Sequence, residues 1–123
     1  MSIQLQRHLT FLAVDDRDGA LTFYRDILGL TFVGDEMGTL VFDLDGTPLR
    51  ISTLADFPPQ TFTVLGWDVT DIEAAVATLA DAGVDPIRYP NMPQDDAGIA
   101  TLGPVRIFWF KDPASNVLSL TEE

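Results

Sequence analysis

The side chains able to do chemistry are few, and their spacing excludes most familiar kinds. The chain has one histidine, His8, and no cysteine, which removes thiolate nucleophiles, thiolate metal sites and disulfides together. No Ser-His-Asp arrangement can be assembled, and neither a phosphate-cradling Gly-rich loop nor a dinucleotide-binding fingerprint occurs. The clustered carboxylates Asp15, Asp16 and Asp18 follow a strand-like run and precede a helical one. In that position Asp side chains accept from the first backbone N–H groups of a helix and complement its dipole, so the cluster reads as a cap.

Composition narrows the partners. Seven basic against nineteen acidic residues give a net charge of -12 over 123 residues, the wrong sign for a phosphate backbone or an anionic membrane surface. Nucleic acid and membrane are therefore not expected as partners. An acidic surface serves solubility and can also attract cationic ligands. The segment Met1 to His8 lacks a basic stretch followed by an apolar one, and no apolar run approaches membrane-spanning length. With the absence of cysteine, this gives the expectation of a soluble cytoplasmic protein. At 46% apolar residues the chain can bury a core without staples, so residues 1–123 are expected to form one domain.

The elements that must position any site form two copies of one pattern about 55 residues apart. His8 to Val14 is strand-like, and a helix is expected from near Asp16 to Leu28, with Ala20, Leu21, Tyr24, Ile27 and Leu28 at helical spacing and Gly29 as its stop. Strand-like segments follow at Leu30 to Val33, Thr39 to Leu44 and Leu49 to Leu54. The second copy opens on the run Phe62 to Val69. Thr70-Asp71-Ile72-Glu73 then has capping-box spacing, Ile72, Ala75, Val76 and Leu79 make an apolar stripe, and Gly83 ends the helix. Pro86 to Arg88 is a weak strand, Arg106 to Lys111 a strong one and Val117 to Thr121 another. The long loop Tyr89 to Pro104 is of a length that often closes over ligands. Module one spans about 1–57 and module two about 58–123.

Two of these segments carry a resemblance. Phe23-Tyr24-Arg25-Asp26-Ile27-Leu28-Gly29-Leu30 resembles the first-helix signature of the vicinal-oxygen-chelate superfamily, the glyoxalase, bleomycin-resistance and extradiol-dioxygenase proteins. Trp109 to Leu120 resembles that superfamily's last hairpin, with Ser115 where the family usually has Gly; a non-Gly residue held there at positive φ costs on the order of 1 kcal/mol. The resemblance spans about Leu9 to Thr121. It implies an α+β fold of two βαβββ modules whose curled eight-stranded mixed sheet surrounds a cup, with the helices on the outer face.

Metal-dependent members of the superfamily place His or Glu at four inward positions. Their counterparts here are Leu9, Arg50, Val64 and Ser119. Two aliphatic groups, a guanidinium and one hydroxyl cannot converge on a divalent cation, so no metal and no cofactor are expected. His8 is one residue away from the first position and, by strand alternation, should face away. Alternation adds Phe11 and Ala13, Ser52, Gly66 and Asp68, and Ile107 and Trp109 to the cup, and sends Phe108 and Phe110 under the helices.

Candidate ligand-binding residues are therefore Leu9, Phe11, Arg50, Ser52, Val64, Asp68, Ile107, Trp109 and Ser119. Trp109 offers either a stacking wall for a ligand or a core residue. Arg50 needs an anionic partner, supplied by Asp68, by Asp43 or by the ligand. The resemblance implies a metal-independent small-molecule-binding protein of the bleomycin-resistance type, with its ligand expected in the cup between the two modules. The alternative is a metal-independent isomerase or lyase, with Asp68 as base and Arg50 as anion clamp.

Two expectations are open to measurement. Elemental analysis of the purified protein should show no stoichiometric transition metal; about one equivalent of zinc, nickel, iron or manganese, removable by a chelator, contradicts the reading. Related proteins join sheets across a subunit interface, so a homodimer is expected. Light scattering should return twice the 13.5 kDa chain mass, and a monomer at micromolar concentration contradicts it.

Overall fold

A strand with alternating apolar and polar residues has two unlike faces, and a helix lying on one of them decides which is covered. The computed structural model, which describes residues 3–123, shows this arrangement twice. The backbone divides into two compact units, Met1–Pro58 and Pro59–Glu123.

In the first unit the order is β1 (Thr10–Val14), α1 (Arg17–Thr22), β2 (Thr31–Glu36), β3 (Thr39–Leu44) and β4 (Thr47–Thr53). These strands form one mixed sheet in the order β1-β4-β3-β2, with only β1 and β4 parallel. Leu12, Val14, Leu40, Phe42, Leu49 and Ile51 are buried, as are Ala20, Phe23 and Tyr24 of the helical segment. The Tyr24 ring lies 6.1 Å from that of Phe42.

Asp16 caps α1 as the sequence predicts, its carboxylate accepting from the Gly19 N–H at 3.2 Å. The helical segment then departs from α geometry. Phe23–Ile27 is π-wound, and the Leu28 N–H donates to the Phe23 carbonyl five residues back at 2.9 Å. Neighbouring Phe23 and Tyr24 are both buried there, edge to face at 5.1 Å. Arg17 reaches from α1 to the Asp35 carboxylate at the end of β2. Hydrogen bonds from Arg17, and then from the Gly38 N–H, hold the Asp35 carboxyl below the usual carboxylate range.

The second unit repeats the topology with β5 (Thr63–Asp68), α2 (Ile72–Asp81), β6 (Ala100–Leu102), β7 (Val105–Lys111) and β8 (Val117–Glu122), in sheet order β5-β8-β7-β6. The α+β fold of two βαβββ modules is thus present. Ile72, Val76 and Leu79 of α2 are buried together with Phe108, Phe110, Leu118 and Leu120 of the sheet, and α2 packs on β7 and β8.

The α2 cap differs from the expected capping box. Asp71, not Thr70, is the cap residue and accepts from the Ala74 N–H at 3.1 Å. Glu73 instead pairs with Arg106 at 3.1 Å, and Glu122 accepts from the Ile72 N–H at 2.8 Å. A carboxylate from the last strand thus satisfies a first-turn N–H of α2 that the local capping box leaves without an acceptor.

The second unit's edge also differs. Pro86 makes only an isolated bridge to Phe110, and the edge strand is Ala100–Leu102, inside the segment expected to be loop. Proline lacks the N–H a ladder needs, so the segment around it cannot extend as a strand. What remains of the loop bonds to itself. The Gln94 side chain accepts from the Tyr89 N–H and donates to the carbonyls of Ile87 and Gly98, while Arg88 donates to the carbonyls of Asp95 and Asp96.

In the last hairpin, buried Asp112 accepts from the N–H groups of Ala114 and Asn116 and from the Asn116 side chain. Ser115 sits there at φ +69°, the conformation for which the superfamily's glycine would be suited.

Gly98 and Gly38 separate two costs. Both have positive φ, but a Cβ on Gly98 would lie 2.4 Å from Pro86 Cβ, whereas one on Gly38 would meet nothing within 4 Å. Gly38→Ala should therefore cost about 1 kcal/mol from conformation alone, and Gly98→Ala about 2 to 4 kcal/mol because overpacking adds to it. Urea denaturation of both variants checks this; equal costs contradict it.

Candidate functional site

Each sheet keeps a face that does not carry its helix. In the first unit, Phe11 pairs with Arg50 across β1 and β4, and Arg50 with Val41 across β4 and β3, so the three side chains share that face. Ser52 follows on the same side, opposite Ala13. Leu9 lies just before β1 rather than within it. Leu9, Val33, Val41, Pro48 and Arg50 line a concavity of ≈ 450 Å³, with Arg7, Glu36 and Asp43 also at its walls. Of its wall, Leu9 and Val33 are 42% and 63% exposed, apolar groups in water on a concave surface, which is the ordinary appearance of a binding surface; Phe11, 63% exposed, lies on the same sheet face outside it.

The partner of Arg50 is neither Asp43 nor Asp68. Its guanidinium lies 3.5 Å from the Glu36 carboxylate, and Asp43 instead accepts from the Gly46 N–H at 2.8 Å. A β-bulge explains why alternation misses Glu36. Register along β2 shifts between Phe32 and Gly34, with Phe32 opposite Phe42 and Gly34 opposite Val41. The extra residue, Val33, reverses the parity of everything after it, turning Glu36 onto the Arg50 side.

In the second unit, the face opposite α2 carries two rows. Gly66, Ser119 and Trp109 are directly paired across β5, β8 and β7, and Asp68, Thr121 and Ile107 form the next row. Phe108 and Phe110 are buried and stacked at 5.8 Å, consistent with their expected place under the helix. Val64 falls at a second bulge, between Thr63 and Leu65, and has no register partner.

Gly66 leaves a notch beside Ser119, since a Cβ there would come 2.4 Å from the Ser119 hydroxyl. Tyr89 stands edge-on to the Trp109 ring at 5.2 Å and 87°. It was not foreseen as a site residue; its signal was an aromatic at the start of the long loop. Among the described residues the Asp68 side chain makes no hydrogen bond or ion pair and is exposed.

The four positions that would hold a metal carry no carboxylate or imidazole. His8 is 3.3 Å from the Thr10 hydroxyl, on the side of β1 away from Phe11. Among the described residues no group of three or more His, Cys, Asp or Glu side chains could hold a metal ion. The donor set does not fit one, because a metal needs several oxygen or nitrogen ligands at one point and Arg50 would repel it. A further concavity of ≈ 400 Å³ lies between α2 and the loop, floored by Val76, Ala77 and Ala80 and rimmed by acidic side chains. No helix among the described residues is long and apolar enough to cross a membrane.

The family model for the Glyoxalase/Bleomycin resistance protein/Dioxygenase superfamily matches residues 6–120. The chain belongs to that superfamily. No curated protein matches it significantly.

Among solved structures, the antibiotic-binding protein TnmS3 from Streptomyces sp. CB03234 is 26% identical, with 99% of this chain and 98% of that one covered and a TM-score of 0.68. The genomically encoded fosfomycin resistance protein FosX from Listeria monocytogenes is 15% identical over 100% and 95%, TM-score 0.74. A glyoxalase family protein from Enterococcus faecalis is 20% identical over 97% of each chain, TM-score 0.70. The last two show the fold alone. This superfamily member therefore shares its fold with an antibiotic-binding protein, a fosfomycin resistance protein and a glyoxalase family protein, and fold does not choose among their roles.

Proposed function

We propose that this superfamily member is a metal-independent small-molecule-binding protein, a homodimer of the bleomycin-resistance type, whose ligand is taken up on the helix-free sheet faces. The observation that carries the reading is the concavity of the first unit, where exposed apolar side chains surround a guanidinium. The exposed parts of Leu9, Phe11 and Val33 leave apolar surface in water, and covering it with a ligand gains about 25 cal/mol for each Å² of apolar surface buried. In the second unit the exposed part of Trp109, already steadied by Tyr89, offers a flat ring for stacking. The antibiotic-binding neighbour supports this class of function.

Catalysis by general acid–base chemistry is the competing reading, and Asp68, exposed and without a partner among the described residues, is its one candidate base. A library of aromatic small molecules screened by Trp fluorescence should yield binders. Trp109→Ala should then weaken them by about 1 to 3 kcal/mol, the scale of a well-covered aromatic contact. Turnover of a bound compound that disappears in Asp68→Asn would establish an enzyme instead. If no compound binds, or if Trp109→Ala and Arg50→Ala leave every binder unaffected, the helix-free faces are not the functional site.

A further inference from the structure

Seven basic residues stand among nineteen acidic ones, so a guanidinium without a close acceptor is unexpected in this chain. Four of the seven are hydrogen-bonded: Arg17 to Asp35 and Asp18, Arg25 to Asp26, Arg88 to two carbonyls, and Arg106 to Glu73. Arg7, Arg50 and Lys111 are not, and the first two line the first unit's concavity. Arg7 has no ion pair among the described residues. Arg50 has only the 3.5 Å approach of Glu36, too long for a charge-assisted hydrogen bond, and its side chain is 29% exposed against 57% for Glu36. A half-buried guanidinium is thus held beside an apolar wall by a carboxylate that is itself mostly in water.

Resting on the binding reading above, we infer that the first unit's concavity takes small organic acids. The ligand's carboxylate is held by Arg50, with Arg7 at the rim, and its apolar body lies against Leu9, Val33 and Val41. Glu36 is the stand-in counterion: it neutralises Arg50 in the free protein and gives way when the ligand's carboxylate arrives. A monoanion fits better than a dianion. The walls already carry Glu36 and Asp43, and the chain's charge of -12 adds repulsion that salt screens beyond about 8 Å but not at the site itself. A carboxylate also matches the planar fork of Arg50 in two parallel hydrogen bonds.

The probes are 2-naphthoate and its neutral isostere 2-naphthamide, titrated into the full chain by calorimetry. Wild type should bind the naphthoate about tenfold or more tightly than the amide, as a charge-assisted hydrogen bond requires. Arg50→Gln should abolish that preference while the amide's affinity changes by less than about twofold, and Arg50→Lys should restore part of it. Glu36→Gln should strengthen naphthoate binding by about two- to fivefold, the scale of an exposed ion pair no longer competing. Thermal unfolding of each variant confirms that it folds.

Equal affinity of wild type for the two probes overturns the organic-acid assignment and leaves small-molecule binding standing. Absence of binding by both at millimolar concentration also overturns it, while the library screen decides the broader reading separately. Weaker naphthoate binding in Glu36→Gln would mean that Glu36 positions Arg50 rather than competing for it, and overturns the stand-in role.

Discussion

Everything in each unit depends on one helix covering one face of a four-stranded sheet. Side chains alternate across a strand with a period of two, so once Leu12, Leu49 and Phe42 are committed to burial, Phe11, Arg50 and Val41 are committed to the other face. The same constraint in the second unit buries Phe108 and Phe110 and leaves Trp109 between them on the opposite side. On the uncovered face of the first unit, exposed Leu9 and Val33 stand beside one loosely neutralised cation, Arg50.

Two bulges modify this constraint, one in each sheet. The extra residue Val33 is 63% exposed and turns Glu36 toward Arg50. Without that insertion Glu36 would share a side with Phe32, away from Arg50. The bulge at Val64 likewise sets the register that brings Gly66 opposite Ser119. A bulge costs a ladder position and re-aims side chains, and it is often found where a sheet carries function.

The fold was legible because its signals are local and repeated: Asp16 before an apolar helical stripe, Gly29 and Gly83 as stops, and strands whose alternation survives from sequence to structure. Most of the faces were legible for the same reason, including those of Phe11, Arg50 and Ser52. What the sequence did not disclose was long-range. The partner of Arg50 is fourteen residues away through a bulge, Tyr89 meets Trp109 from a loop, and Glu122 caps a helix fifty residues earlier. The strand at Ala100–Leu102 has no sequence signature because three residues between turns carry too little periodicity.

The central claim is that ligand binds the helix-free face of the first unit. Chemical-shift mapping of methyl-labelled protein titrated with 2-naphthoate tests it most directly, because it reports where the molecule sits rather than how tightly. The account predicts that the largest changes fall on Leu9, Val33 and Val41, while Leu49 and Ile51, on the covered face of the same sheet, move little. Changes concentrated instead on Val76, Ala77 and Ala80, the floor of the concavity beside α2, would contradict it.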